Sequence, residues 1–557
     1  MKSINRRQFL GAAALAGAGM TMTPSTVLGN IAPMSLGAND KRLEKYRKLR
    51  TAKLNKPRQL IHNNDGNEAI YYPVNEKYSA SNFLSKRSSG LIGTDATTIS
   101  YCTIAAGFGY FTHNTKVGEV LVNQGFDYEI RENDRNITAE MIAEGTDPLQ
   151  VTIEFARKNG FEIFWSNRMN DNHDSAHKVD KPYFLWTKFK ENNPQYLFGK
   201  VGEGFLGYGW WSSVDFNHQA VRDLCVQFFK EICDNYDVDG VEMDFFRHPE
   251  IFGTVAKGGI ATDEQLDMLT DMVRQIRKVT EEAGMKKGNP ILLITRVPTS
   301  PEYAKRMGID YNRWIDEGLV DIVIGSCYYQ QNFWAEFAKL GEGKNVKMYA
   351  SLSDSRVRNQ HPSLVRKQNS VFRAQAAAAW EAGIDGLYSF NEFQTRIKYL
   401  YEIGNPSKLK KTNNLYFVTY RDYSAETWLK GGNDFYTISR LSPYLCPQKF
   451  TSESFDFKIE IGDEASQADV YAILYADNIA SNDLTVKING SLASFKNVTE
   501  DGLYIFEVNP KSIKPGINNL YVKGEGEDDS RVLKDAAIFF CRDKNDLEMR
   551  QLIALCR

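Results

Sequence analysis

Val238-Asp239-Gly240-Val241-Glu242-Met243-Asp244-Phe245-Phe246-Arg247-His248-Pro249 is the stretch on which the fold turns. Apolar and acidic residues alternate along it with period two, the repeat of an extended strand whose side chains point to opposite faces. Val241 and Met243 therefore share one face, and Glu242 and Asp244 share the other. A helical stretch precedes this strand, with Val221, Leu224, Cys225, Phe228, Phe229 and Ile232 at one-face spacing. Another follows it, with Leu266, Leu269, Met272, Val273, Ile276 and Val279 on one face and Thr262 and Gln265 placed as a capping box. Helices on both sides of a short strand make a parallel βα unit, and the helices claim the apolar face. The two acids are left to point inward, where burial of a carboxylate costs several kcal/mol unless a cation or a hydroxyl satisfies it.

Working outward, the same alternation of short apolar runs and amphipathic stretches gives eight strands. They are residues 59–62, 97–104, 161–166, 240–245, 291–296, 321–326, 346–351 and 386–390. Eight such units in about 340 residues predict an α/β fold, a (β/α)8 TIM barrel with enlarged loops over 57–405. A doubly wound open sheet is the alternative, but no glycine-rich phosphate loop accompanies it. After residue 405 the pattern changes. Phe455–Ile461 and Leu484–Ile488 alternate with period two and break at turns such as Asn489-Gly490, which predicts a C-terminal antiparallel β-sandwich over 448–557, reached through a bridging region over 406–447. That module either caps the barrel or binds sugar.

The N-terminus reads as a processing segment. Asn5-Arg6-Arg7-Gln8-Phe9-Leu10 precedes an apolar run from Gly11 to Met20, the layout of a twin-arginine export signal over 1–30. The run is shorter than the ~20 residues that span a bilayer, so no stable membrane anchor is expected and the chain is read as periplasmic or secreted. Residues 31–56 read as a charged, solvated linker or helix. With 68 basic against 70 acidic residues the chain has no global field to recruit nucleic acid or an anionic membrane. The seven cysteines are scattered without CxxC or Cys/His spacing, and no HExxH or EF-hand pattern occurs, so neither a metal nor a cofactor is expected.

In a closed barrel the chemistry lies where the strands end on the C-terminal side. There the candidate catalytic residues are Glu242, Asp244, His248 and, after strand eight, Glu392. Glycoside hydrolysis needs two carboxyls about 5 to 10 Å apart, one giving a proton and the other attacking or activating water. The candidate substrate-binding residues are Asn63, Asp65, Arg168, His173, Trp210, Arg247, Arg296 and Tyr328. Arginine presents a planar fork matched to carboxylate or sulfate, and several converging on one mouth point to an anionic oligosaccharide. Trp210 and Tyr328 offer rings that stack on sugar faces, although core packing is the commoner fate of such residues.

A resemblance adds to this reading. Val214-Asp215-Phe216-Asn217-His218-Gln219-Ala220-Val221-Arg222 leading into Tyr236–Phe245, with Ala156–Ile163 before it, resembles the glycosyl-hydrolase-like family-ten barrels over most of residues 57–400. The resemblance implies a TIM barrel acting on carbohydrate, with Glu242 and Asp244 at the acidic strand end. The sequence departs from a retaining glycosidase in that strands six and seven end in Ser326-Cys327-Tyr328 and Ser351-Leu352-Ser353, without a carboxylate. The expected function is degradation of acidic, uronate- or sulfate-bearing oligosaccharides by glycosidic hydrolysis. The rivals are a lyase or dehydratase on uronic-acid ends, where a base removes the proton beside a carboxylate, and a sugar-binding protein without chemistry.

Overall fold

Eight parallel strands close on themselves in a computed structural model of the chain. They are β1 (Leu60–Asn64), β2 (Ala96–Cys102), β3 (Glu162–Arg168), β4 (Gly240–Asp244), β5 (Leu292–Val297), β6 (Ile322–Gly325), β7 (Lys347–Leu352) and β8 (Gly386–Ser389). Each pairs in parallel with its sequence neighbours, and β8 returns to β1, with Leu60 opposite Leu387 and Ile61 opposite Tyr388. The structure describes residues 38–103, 107–123, 132–246, 248–326, 328–353, 355, 357–358, 361–421, 423–451, 454–526 and 528–557. The export signal and Arg247 lie outside the described residues. Among the described residues no helix is long and apolar enough to cross a membrane.

The helices form where apolar residues recur along one face. In α1 (Ala38–Leu54), residues from Leu43 onward belong to the same compact unit as the barrel. The charged stretch is thus the helix of the two forms its composition allowed, but Tyr46, Arg50, Lys53 and Leu54 are buried, so it is not solvated all round. Lys53 donates to Asp239 at 2.9 Å and to the Pro290 carbonyl at 2.6 Å, which docks the helix under the N-terminal ends of β4 and β5. In α2 (Gln219–Asn235), Val221, Cys225, Phe228, Phe229 and Ile232 are buried against the barrel and Leu224 is half-buried. In α3 (Asp263–Lys287) the Thr262–Gln265 capping box is present, and Leu266, Leu269, Met272, Val273 and Ile276 face inward. Each such side chain contributes about 1.5–3 kcal/mol of hydrophobic burial.

Beyond the barrel, two antiparallel sheets face one another. The first runs β9 (Asn414–Phe417), β17 (Val532–Cys541), β11 (Asp469–Asp477), β15 (Leu503–Val508) and β14 (Ser494–Val498); Gln448–Lys449 also pairs with β17. The second runs β10 (Phe455–Ile461), β16 (Gly516–Gly524), β12 (Leu484–Ile488) and β13 (Ser491–Leu492). The first sheet thus takes an edge strand from the segment read as a bridge. Helix α4 (Asn369–Glu381), nearly all of it buried, packs against β7 and β8 on one side and β9 and β10 on the other. One hydrophobic core therefore runs from barrel to sandwich.

Candidate active site

Parallel pairing puts partnered residues on the same face, and the register of β4 therefore sets the layers of the barrel interior. Glu242 lies beside Ser166 of β3 and Ile294 of β5; one layer nearer the C-terminal ends, Asp244 lies beside Arg168 and Arg296. Both acids point inward. The Ser100 hydroxyl donates to Glu242 at 2.6 Å, and the Tyr388 hydroxyl, from β8 across the barrel, reaches its two oxygens at 3.0 and 3.1 Å. Glu242 is completely enclosed. Burial pushes its carboxyl up and the negative charge of Asp244 adds to that, while Arg296, Ser100 and Tyr388 pull the other way, leaving it at about 7. Asp244 is ion-paired: Arg296 donates to it at 2.6 Å and the Phe246 N–H at 3.1 Å. The Arg296 guanidinium lies 3.9 Å from the centre of the Phe390 ring, which fixes it from the other side.

Arg168 extends this network toward the rim. It donates to Asp171 at 3.2 Å and stands 4.0 Å from Asp65. Asp65 also accepts from Arg87 and from the Asn67 N–H at 3.1 Å, so it shapes the turn after β1 as well as facing Arg168. Asn63 points inward in the register of Ser100 and donates to the Ser100 carbonyl at 3.3 Å. The loops after β3 and β4 meet where His173 Nδ1 and Asp171 Oδ1 lie 2.5 Å apart and the His173 and His248 rings are 5.2 Å apart. Burial acts against charge on Asp171, yet His173, His248 and Arg168 hold it well below the usual carboxylate range. Nearby, Glu250 accepts from the Asn172 side chain at 2.8 Å, the Trp210 N–H at 2.9 Å and the Ser213 hydroxyl; burial raises its carboxyl to about 8.

One expectation is corrected here. Glu392 is not brought to the pair. Strand β8 stops at Ser389, Asn391 takes a left-handed conformation (φ 53°), and the Glu392 carboxylate turns to accept from Tyr399 at 2.7 Å and the Gln394 N–H at 2.7 Å. Phe390, not Glu392, closes over Arg296. Tyr328 is buried edge-on to Phe390 and against Tyr423, a packing role. Trp210 stands half-buried, edge-on to Phe205. Arg168 and Arg296 do converge on the mouth, but each arrives already engaged by an acid.

Four contributors went unselected in the sequence. Ser100 and Tyr388 lie within strands that the apolar runs revealed, but which of their faces turns inward follows only from register between strands. Asp171 stands three residues after Arg168, in the run following β3. Arg421 comes from beyond the barrel altogether: it is buried, bonds the Ser326 hydroxyl and donates to the Ser351 carbonyl at 2.7 Å, across the ends of β6 and β7. No reading confined to strand ends finds it.

No family model matches this sequence, and no curated protein matches it. Among solved structures, the chain is similar to an α-amylase from Geobacillus thermoleovorans complexed with acarbose, at 10% identity over 84% of this chain and 99% of that one, with a TM-score of 0.35. It is also similar to the PgaB glycoside hydrolase domain from Bordetella bronchiseptica, at 10% identity over 63% of this chain and 99% of that one, with a TM-score of 0.41. A GH36 α-galactosidase from Geobacillus stearothermophilus gives 10% identity over 90% of this chain and 59% of that one, with a TM-score of 0.35. Likenesses this distant say nothing of chemistry.

Proposed function

We propose that this chain is an exported, carbohydrate-active enzyme that hydrolyses glycosidic bonds of acidic oligosaccharides at the C-terminal mouth of its barrel. The observation that carries the reading is the pair on β4. Glu242 is held at about 7 in an enclosed site, and Asp244, ion-paired to Arg296, sits one layer nearer the opening. Two carboxyls in unlike environments are what a hydrolase needs to keep one protonated and the other charged. Residues two apart on a strand have Cα atoms about 7 Å apart and side chains on one face, so both carboxyls point into the same part of the barrel. Glu242 serves as the acid and Asp244 as the nucleophile or base. The family-ten-like motif over Val214–Phe245 supports the carbohydrate part of the reading. The guanidinium of Arg421, set across the ends of β6 and β7 on a hydroxyl and a carbonyl, supports an anionic substrate, and Arg6-Arg7 ahead of the apolar run supports twin-arginine export to the periplasm or beyond.

The test is turnover of uronate- or sulfate-bearing oligosaccharides followed by mass spectrometry of the products in isotope-labelled water. Hydrolysis places the label at the anomeric carbon, whereas a lyase leaves a new double bond. Glu242→Gln and Asp244→Asn are each expected to lower kcat by about 100- to 10,000-fold, the usual worth of a positioned acid or base. If both variants, folded as the parent by circular dichroism, turn over substrate normally, the assignment fails. A wild type that binds acidic sugars but releases no product overturns the enzymatic reading in favour of a sugar-binding protein.

A further inference from the structure

The loops that follow β3 and β4 assemble a second cluster at the rim of the mouth, distinct from the Glu242–Asp244 pair. Asp171, His173 and His248 each offer one ligand atom, and these three atoms all lie within 4.8 Å of one another. Their order in the chain hides the cluster, since His248 lies 75 positions after His173. We propose that Asp171, His173 and His248 form a binding site for one divalent transition-metal ion of the zinc class.

Three features carry the inference. The first is the donor set. Two imidazoles and one carboxylate suit a borderline ion such as Zn²⁺ or Co²⁺, whereas Ca²⁺ and Mg²⁺ seek oxygen ligands alone. The second is orientation. Arg168 donates to Oδ2 of Asp171 at 3.2 Å, which leaves Oδ1 aimed at Nδ1 of His173, 2.5 Å away. The Asn172 N–H donates to Nδ1 of His248 at 3.4 Å, which fixes that ring against the turn that carries the other two donors. Partners behind the ligands that fix their direction are a regular part of metal sites. An ion with ligand distances of about 2.0–2.2 Å needs its donors roughly 3–3.5 Å apart, so Asp171 and His173 separate by less than about 1 Å as the ion takes the place of the proton between them.

The third feature is rigidity. Asn170 donates from its side chain to the Val214 carbonyl at 2.8 Å and to the Glu250 carbonyl, and accepts from the Val214 N–H at 2.9 Å. Asn172 donates to the Glu250 carboxyl at 2.8 Å. Residues on either side of Asp171 are thus stitched to the segment two residues beyond His248, and the two ligand-bearing loops are held in register before any ion arrives. The His173 side chain is 38% exposed, which gives an ion its way in. Three protein ligands leave at least one position of a tetrahedral ion to water or to a substrate oxygen, the open arrangement of catalytic rather than structural zinc.

This proposal stands apart from the hydrolase reading, and its test does not use activity. The full chain, stripped with chelator and dialysed, is titrated with ZnCl₂ by calorimetry and with CoCl₂ by visible absorption. One ion per chain is expected, with cobalt bands of a four- or five-coordinate site and a rise in Tm on adding zinc. His173→Ala, at the exposed ligand, leaves the fold intact and lowers zinc affinity by more than the roughly 10- to 100-fold that loss of an outer partner costs. His248→Ala and Asp171→Asn do the same wherever their melting curves show a folded chain. A wild type that takes up no more zinc or cobalt than His173→Ala overturns the proposal, as does an unchanged stoichiometry and Tm response in that variant.

Discussion

Glu242 places a carboxyl in a fully enclosed site, and two hydroxyls partly oppose the burial that raises it. Ser100 and Tyr388 both donate to it, which favours the ionised form, while burial and the neighbouring Asp244 favour the protonated one. Tyr388→Phe removes one of the stabilising donors and leaves the volume almost unchanged. The carboxyl is then expected to rise further above about 7. If Glu242 delivers the proton, activity is lost as pH climbs through its pKa, so the alkaline limb of the kcat–pH profile moves to higher pH in Tyr388→Phe. A limb that stays in place removes Glu242 from proton delivery and leaves it a positioning role behind Asp244. Asp171 and Arg168 show the same economy at the rim: the side chain that holds one charge also aims it.

At the scale of the elements, the barrel is registered by acids at the opposite end from the chemistry. Asp239, Asp321 and Asp385 each stand just before a strand, in Val238-Asp239-Gly240, Val320-Asp321-Ile322 and Ile384-Asp385-Gly386. Each accepts from a backbone N–H of the preceding strand: Ile163 at 3.0 Å, Leu293 at 2.7 Å and Met348 at 2.9 Å. A one-residue slip would turn every inward side chain to the helices, so bonds that fix the start of a strand also fix which residues face the cavity. Asp321 is the most enclosed of the three and pairs with Arg277 at 2.7 Å and Arg50 at 3.3 Å. Asp321→Asn leaves the buried Arg277 guanidinium short of an anion, while Arg50 keeps Glu281 at 2.9 Å. The expected loss is about 3 kcal/mol, seen as a lower midpoint of urea denaturation. An unchanged midpoint would mean that the guanidinium is satisfied without this carboxylate.

Across the whole molecule, the sandwich is built into the barrel. Arg366 makes a two-pronged pair with Asp535 of β17, at 2.7 and 2.9 Å, and Gly462, just after β10, lies against the backbone of α4. A methyl group at position 462 would sit 2.0 Å from the Ala377 carbonyl carbon, with backbone on both sides and no flexible side chain to yield. Gly462→Ala is therefore expected to cost about 1–3 kcal/mol by forcing β10 and α4 apart. Thermal unfolding reads this as a lower Tm or as a split of one transition into two; a parental melting curve would show that the seam has slack. Because Arg421 leaves this same region to reach Ser326 and Ser351, loosening the seam also carries a guanidinium away from the mouth.

How much of this was legible in the sequence follows from the range of each interaction. Strand periodicity and helix faces are local, so the eight strands, the two long amphipathic helices and the inward set of Glu242 and Asp244 could be read directly from spacing. The Thr262–Gln265 cap was legible for the same reason. Arg296 was found because it ends a strand, but its engagement by Asp244 was not, since pairing depends on register between strands. Glu392 misled because a single left-handed residue, Asn391, redirects a side chain that strand parity alone would have aimed at the cavity. The meeting of Tyr388 with Glu242, of His248 with Asp171 and of Arg421 with the mouth needed the closed barrel and the docked sandwich. Local chemistry sets which face of each strand and helix is polar, and only closure of the chain decides which of those polar groups meet.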